Sequence, residues 1–147
     1  MAGLIALAAC GSGGGGSAAR TYLSWADGAT STIGRADLNG AGVSQRFIST
    51  GGAVPYMVTV SSGFLYWTSP LSGAIGRASL DGTAVSQRFI TGASEPTALA
   101  VGSRYIYWAN SSTATIGRAD VNGSAVDQRF IAIRTGKPFG VAVAPGS

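Results

Sequence analysis

The sequence predicts an all-β chain built from β-propeller blades of four antiparallel strands, about three blades in all. Three observations carry this. Trp25, Trp67 and Trp108 stand 42 and 41 residues apart. Arg35, Arg77 and Arg118 keep that spacing, each inside Ile-Gly-Arg-Ala, and Phe47, Phe89 and Phe130 keep it again at the end of Gln-Arg-Phe. Prolines mark the same period at Pro55, Pro96 and Pro138. Self-similarity at roughly 40–45 residues, in a chain of short strands, is the mark of propeller blades. Each repeat buries its faces only by packing against its neighbours.

Composition agrees. Of 147 residues, 46% are apolar, 11% are charged and 23 are glycine, which suits packed sheets joined by tight turns. The longest apolar run lies at the N-terminus and falls short of the roughly 18–20 residues a membrane-spanning helix needs. The net charge is +4, but six of the nine arginines sit at repeat-fixed positions (Arg35, Arg77, Arg118, Arg46, Arg88 and Arg129). Such dispersed charge reads as partners between blades and argues against a nucleic-acid groove, which clusters basic residues among aromatics. Histidine is absent and Cys10 is the one cysteine. A Ser-His-Asp or Cys-His arrangement therefore lacks its base, and zinc lacks its usual ligands. The expectation is a chain that is not an enzyme and holds no metal or cofactor.

Residues 1–9 are apolar and end in Leu7-Ala8-Ala9-Cys10, with Gly11-Ser12-Gly13-Gly14-Gly15-Gly16-Ser17 beyond. This resembles a bacterial lipoprotein signal, in which small residues precede the cysteine that becomes the lipidated N-terminus. The expected organisation is a signal segment at 1–9, a flexible Gly/Ser-rich tether at 10–20, and repeats over 21–147. The signal departs from the usual pattern, because residues 1–9 carry no positive charge.

The strands follow in order within each repeat. The innermost is the short apolar run after the proline, at residues 55–60, 96–101 and 138–143. The second is the aromatic strand ending at Trp25, Trp67 or Trp108. The third spans 33–38, 75–80 and 116–121 and runs into Asn39-Gly40, Asp81-Gly82 or Asn122-Gly123. These dipeptides predict type I′ hairpins, with positive φ at both central positions. The fourth spans 43–48, 85–90 and 126–131. Asp37-Leu38-Asn39-Gly40 and Asp120-Val121-Asn122-Gly123 lack the further oxygen ligands of a calcium loop and read as turns.

The middle copy, Leu65-Tyr66-Trp67-Thr68 with Ile75-Gly76-Arg77-Ala78-Ser79-Leu80-Asp81-Gly82, resembles the YWTD repeat of low-density lipoprotein receptor class B propellers, in its Gly/Ala-rich bacterial form. The likeness runs from Tyr22 to Val143. It implies a six-bladed ring, of which this chain supplies half. The aspartate that supports contacts between blades in that family stands here only as Asp27, with Ser69 and Asn110 in the other copies.

The first copy starts on its second strand and the chain ends on an innermost strand. That phase predicts that residues 139–143 of one molecule complete the first blade of another, giving a homodimeric ring; a fragment of a longer propeller without separate function is the alternative. Trp25, Trp67, Trp108, Arg35, Arg77 and Arg118 are expected to form the blade core. Tyr56, Glu95, Arg104, Arg134 and Lys137 lie outside the repeat-fixed set and are candidates for a ligand rim. The expected function is a binding or scaffold module, lipid-anchored through Cys10 on the extracytoplasmic face of a bacterial membrane, with a protein or glycan ligand. The competing reading is a propeller-type lyase or lactonase, which Ala74-Ile75-Gly76-Arg77 also resembles.

Overall fold

A computed structural model describes residues 20–144 and the backbone of residues 5–7. They form three four-stranded antiparallel sheets. The first joins β1 (Ile5–Leu7), β2 (Tyr22–Asp27), β3 (Thr32–Asp37) and β4 (Ser44–Ser49). The second joins β5 (Val58–Ser61), β6 (Phe64–Ser69), β7 (Ala74–Ser79) and β8 (Ser86–Thr91). The third joins β9 (Pro96–Val101), β10 (Tyr105–Asn110), β11 (Thr115–Asp120) and β12 (Asp127–Ala132). Each sheet follows chain order, so each is one propeller blade, with a short 3-10 turn at Pro70–Ser72 between β6 and β7. Among the described residues no helix is long and apolar enough to cross a membrane.

The core lies between blades. Ala26, Ile33 and Ile48 of the first blade pack on Val58, Leu65, Trp67 and Ala78 of the second. Tyr66, Ile75 and Ile90 of the second pack on Leu99, Ile106, Trp108 and Ala119 of the third. Apart from Ala26 and Tyr66, the two interfaces use equivalent residues, as a repeat whose units bury their faces on one another requires.

Three expectations are corrected. The first copy does not begin on its second strand: β1 precedes it and pairs with β2, Ile5 opposite Trp25 and Leu7 opposite Leu23. Residues 139–143 form no strand: no described strand pairs with them, and the edge of β2 is held by β1. They run beside the third blade instead, where Thr97 Oγ1 donates to Pro138 O and Val141 packs on Ala98, Ala109 and Ile116. The hairpins are not type I′. Gly40, Gly82 and Gly123 have φ of 83°, 85° and 88°, whereas Asn39, Asp81 and Asn122 are not in the left-handed region. Gly40 N–H donates to Asp37 O and Asp37 N–H to Ala41 O, a tight turn closed by a left-handed glycine. Two extra residues of β4 lie opposite β3 between the pairs Ile33–Ile48 and Arg35–Ser44, so the outer strand bulges; the other blades repeat this.

Candidate functional site

The repeat-fixed side chains build the blades. In each, the tryptophan faces the glycine of Ile-Gly-Arg-Ala: Trp25 pairs with Gly34, Trp67 with Gly76 and Trp108 with Gly117. The indole lies on the glycine so closely that a Cβ on Gly76 would stand 2.1 Å from Trp67 Cε2. Trp67 and Trp108 are fully buried, and Trp25, on the open side of the first blade, is half-buried.

The arginine beside that glycine is held between two aromatic rings of its own blade. Arg35 Cζ lies 4.2 Å from the Tyr22 centroid and 3.7 Å from that of Phe47. Arg77 sits between Phe64 and Phe89, and Arg118 between Tyr105 and Phe130. Cation–π pairs contribute about 0.5–1 kcal/mol when exposed and about 2 kcal/mol when desolvated, and these arginines are half-buried. The guanidinium then reaches the next blade: Arg35 Nη1 donates to Leu80 O at 3.3 Å and Arg77 Nη1 to Val121 O at 3.5 Å.

Sequence reasoning passed over the repeated glutamine of Gln-Arg-Phe, although its spacing is as regular as that of the arginine. Gln87 Nε2 donates to Ser49 O, and Gln128 Nε2 to Thr91 O, each reaching back to the preceding blade. Trp108 Nε1 donates to Gln128 Oε1 at 3.0 Å, while in the second blade Trp67 Nε1 and Gln87 Oε1 are buried without partners.

The positions of Asp27, Ser69 and Asn110 diverge. Asp27 Oδ1 accepts from the N–H groups of Ala29 and Thr30, and the Thr30 bonds hold its carboxyl below the usual range. Asn110 is buried: its Oδ1 accepts from Ser94 N–H, in the link between the second and third blades, and its Nδ2 donates to Gln128 O and Thr115 Oγ1. The buried Ser69 Oγ finds no partner.

Four of the five rim candidates share one end of the arc. Tyr56, Glu95, Arg134 and Lys137 are exposed in the links that lead from an outer strand to the next innermost one. Glu95 has φ 49°, and Ser111 N–H and Oγ both donate to its carbonyl, which fixes the loop. Arg104 falls at the opposite end, between β9 and β10, with its guanidinium 5.2 Å from the Tyr105 centroid. A cavity of about 90 Å³ between the first and second blades is lined by Tyr22, Ser24, Arg35, Val60, Leu65 and Leu80, room for a few waters. Burial pushes the Tyr66 hydroxyl pKa up, against the opposing pull of Arg77. Among the described residues no three His, Cys, Asp or Glu side chains are grouped to hold a metal ion. Cys10 lies outside the described residues.

No protein-family model and no curated protein matches the chain. Solved structures do. A nidogen/laminin complex superposes with a TM-score of 0.67 at 20% identity, over 81% of this chain and 47% of that one. Virginiamycin B lyase from Staphylococcus aureus gives 0.66 at 22% identity, over 83% and 42%. A gluconolactonase from Xanthomonas campestris gives 0.67 at 17% identity, over 84% and 49%. The fold is thus a β-propeller arc of about three blades. The chain spans less than half the length of each of these structures.

The neighbours overturn the expectation that the chain is not an enzyme. A lyase and a gluconolactonase share its fold. The residue argument failed because the ends of a propeller gather side chains from several blades. The histidine content of three blades does not fix the chemistry of a completed ring.

Proposed function

We propose that this chain is a binding or scaffold module of the propeller class, tethered to the extracytoplasmic face of a bacterial membrane through Cys10. The observation that carries the binding reading is the set of exposed Tyr56, Glu95, Arg134 and Lys137 at one end of three rigid sheets. Exposed aromatic and charged side chains on loops held by a packed scaffold are the usual material of recognition. The ligand class is protein or glycan. The nidogen neighbour, solved as a complex with laminin, supports the protein arm. A protein and glycan array probed with the full chain tests this. Binding should be lost in Tyr56→Ala with Lys137→Glu and kept in Arg104→Ala; a bound ligand indifferent to the first pair overturns the assignment.

The tether reading rests on Leu7-Ala8-Ala9-Cys10 and the Gly/Ser run beyond it. In a bacterial host the protein should partition into detergent, and Cys10→Ser should release it. Mass spectrometry showing an intact Met1 and a free thiol would overturn it. A second reading, a lyase or lactonase, rests on the two enzyme neighbours. Turnover of a streptogramin B or of gluconolactone in the presence of magnesium would establish it.

A further inference from the structure

The outer faces of the arc are the two halves of its own internal interface. On the third blade, Ala109, Ile116 and Ile131 occupy the positions of Ala26, Ile33 and Ile48 in the first; Val141 already buries Ala109 and Ile116, and Ile131 is left open. Ile48 and Ile90 are 2% and 1% exposed under the following blade, whereas Ile131 is 46% and Phe130 37% exposed. On the first blade, Leu23, Trp25 and Ala36 occupy the positions of Leu65, Trp67 and Ala78, and Trp25 is only half-buried. The polar contacts are unfinished in the same sense. Arg35 and Arg77 reach a carbonyl of the following blade, and the matching acceptor for Arg118 would be Leu38 O of a first blade. Phe47 and Phe89 lie about 3 Å from where a Cβ on Gly82 or Gly123 would stand, while Gly40 has nothing within 4 Å. Gln87 and Gln128 each reach the preceding blade, and Gln45 makes no such bond among the described residues.

The free edge of β2 tells the same story. Val58 pairs with Trp67 and Val60 with Leu65; Leu99 lies opposite Trp108 and Val101 opposite Ile106. In that register Val141 and Val143 belong opposite Trp25 and Leu23. Those places are taken by Ile5 and Leu7. β1 and residues 141–143 therefore claim one edge in one register.

We propose that β1 masks an assembly edge, and that its removal lets a second copy of this chain dock. The third blade of each copy then packs on the first blade of the other, and residues 141–143 replace β1 on β2. Two copies give six blades, inside the range of about 4–8 in which propellers close, and a twofold axis covers all four open faces. The masking strand lies within the segment that processing ahead of Cys10 removes. This trigger rests on the lipoprotein reading; the interface does not.

Light scattering on the full chain and on Ala6→Pro tests the edge. Proline fixes φ and removes the Ala6 N–H at the centre of a three-residue edge strand, so Ala6→Pro should loosen β1 and dimerise, with a mass twice 14.7 kDa, at concentrations where the unchanged chain is monomeric. The chain beginning at Cys10 should behave the same way. Ile131→Asp added to Ala6→Pro should restore the monomer, and Leu71→Asp, on the exposed 3-10 turn, should not. Iodide quenching gives a second readout. Trp67 and Trp108 are buried in the arc, so the quenchable emission belongs to Trp25 and should fall on dimerisation even if Ile131→Asp fails to fold. A monodisperse Ala6→Pro monomer, a dimer indifferent to Ile131→Asp, open-ended polymers, or an unchanged chain that dimerises equally well would each overturn the proposal. A failure of lipidation at Cys10 leaves the Ala6→Pro result standing and removes only the trigger.

Discussion

At the scale of single residues, the blade is organised by an aromatic ring laid on an absent side chain. Gly76 sits under the Trp67 indole, where a Cβ would meet three ring atoms at 2.1–2.3 Å. The indole is rigid and fully buried, so it has nowhere to go. Gly76→Ala should cost about 1–3 kcal/mol by overpacking, and Trp67→Ala about 3–5 kcal/mol by the cavity it leaves. Chemical denaturation measures both; a melt left unmoved by Trp67→Ala would argue that the ring serves a ligand instead. The tryptophan, arginine and phenylalanine were legible in the sequence because large side chains repeated at a fixed interval stand out. The glycine was visible too, but its reason appears only when Trp67 is seen opposite it across the sheet.

Acid sensitivity also belongs to this scale. Asp81 Oδ1 accepts from the N–H and Oγ1 of Thr83, and these bonds hold its carboxyl below the ordinary value. A carboxyl whose pKa is lowered by folding lends stability above its unfolded pKa and loses it as pH falls through the folded value. Asn39 and Asn122 make the equivalent turn bond in the other blades without titrating. Asp81→Asn should therefore flatten the acid limb of the stability profile below about pH 4 and leave neutral stability unchanged. A limb that keeps its slope would place the sensitivity elsewhere.

At the scale of elements, the sequence set strand order and spacing well but did not show how the two end segments, β1 and residues 139–143, are paired. Residues 139–143 have the composition of an innermost strand, yet a strand needs a neighbour to complete its ladder, and none of the described strands pairs with them. Residues 1–9 read as a signal segment because they are apolar and end in Leu7-Ala8-Ala9-Cys10; the pairing of Ile5–Leu7 with β2 is not legible, since a long connection separates β1 from β2 where Ser62 and Gly63 suffice between β5 and β6. At the end of β10 asparagine stands in place of the family aspartate, and Asn110 satisfies a donor and two acceptors there. Asn110→Ala should cost about 1–3 kcal/mol, because it strands buried polar groups. Ser69→Ala, at the matching position of the second blade, removes a buried hydroxyl with no partner and should be neutral or mildly stabilising. Equal losses in the two variants would refute this account of the site.

At the scale of the whole molecule, three blades leave a fixed geometric deficit. Each internal interface turns one blade relative to the last, and an arc of three stops before its ends meet. The nidogen, virginiamycin B lyase and gluconolactonase structures are each more than twice as long as the part of them this chain matches. A tandem polypeptide tests whether a second copy supplies the remainder. Two copies are joined so that residues 138–147 of the first lead directly into residues 10–147 of the second. Residues 141–143 of the first then lie next in chain to the β2 edge they would complete, and the Gly/Ser run spans the turn. Linking turns a bimolecular step into an intramolecular one, with an effective concentration on the order of millimolar for a short flexible linker. The tandem should be monodisperse, should melt well above the single chain, and should show no dependence of melting on concentration. Ile131→Asp in one half should open one of the two seams and lower the melt; the same change in both halves should lower it further, towards that of the single chain. If the tandem instead melts as two independent arcs, or associates onward through its free faces, the seams between copies do not form and the arc's open faces need another partner.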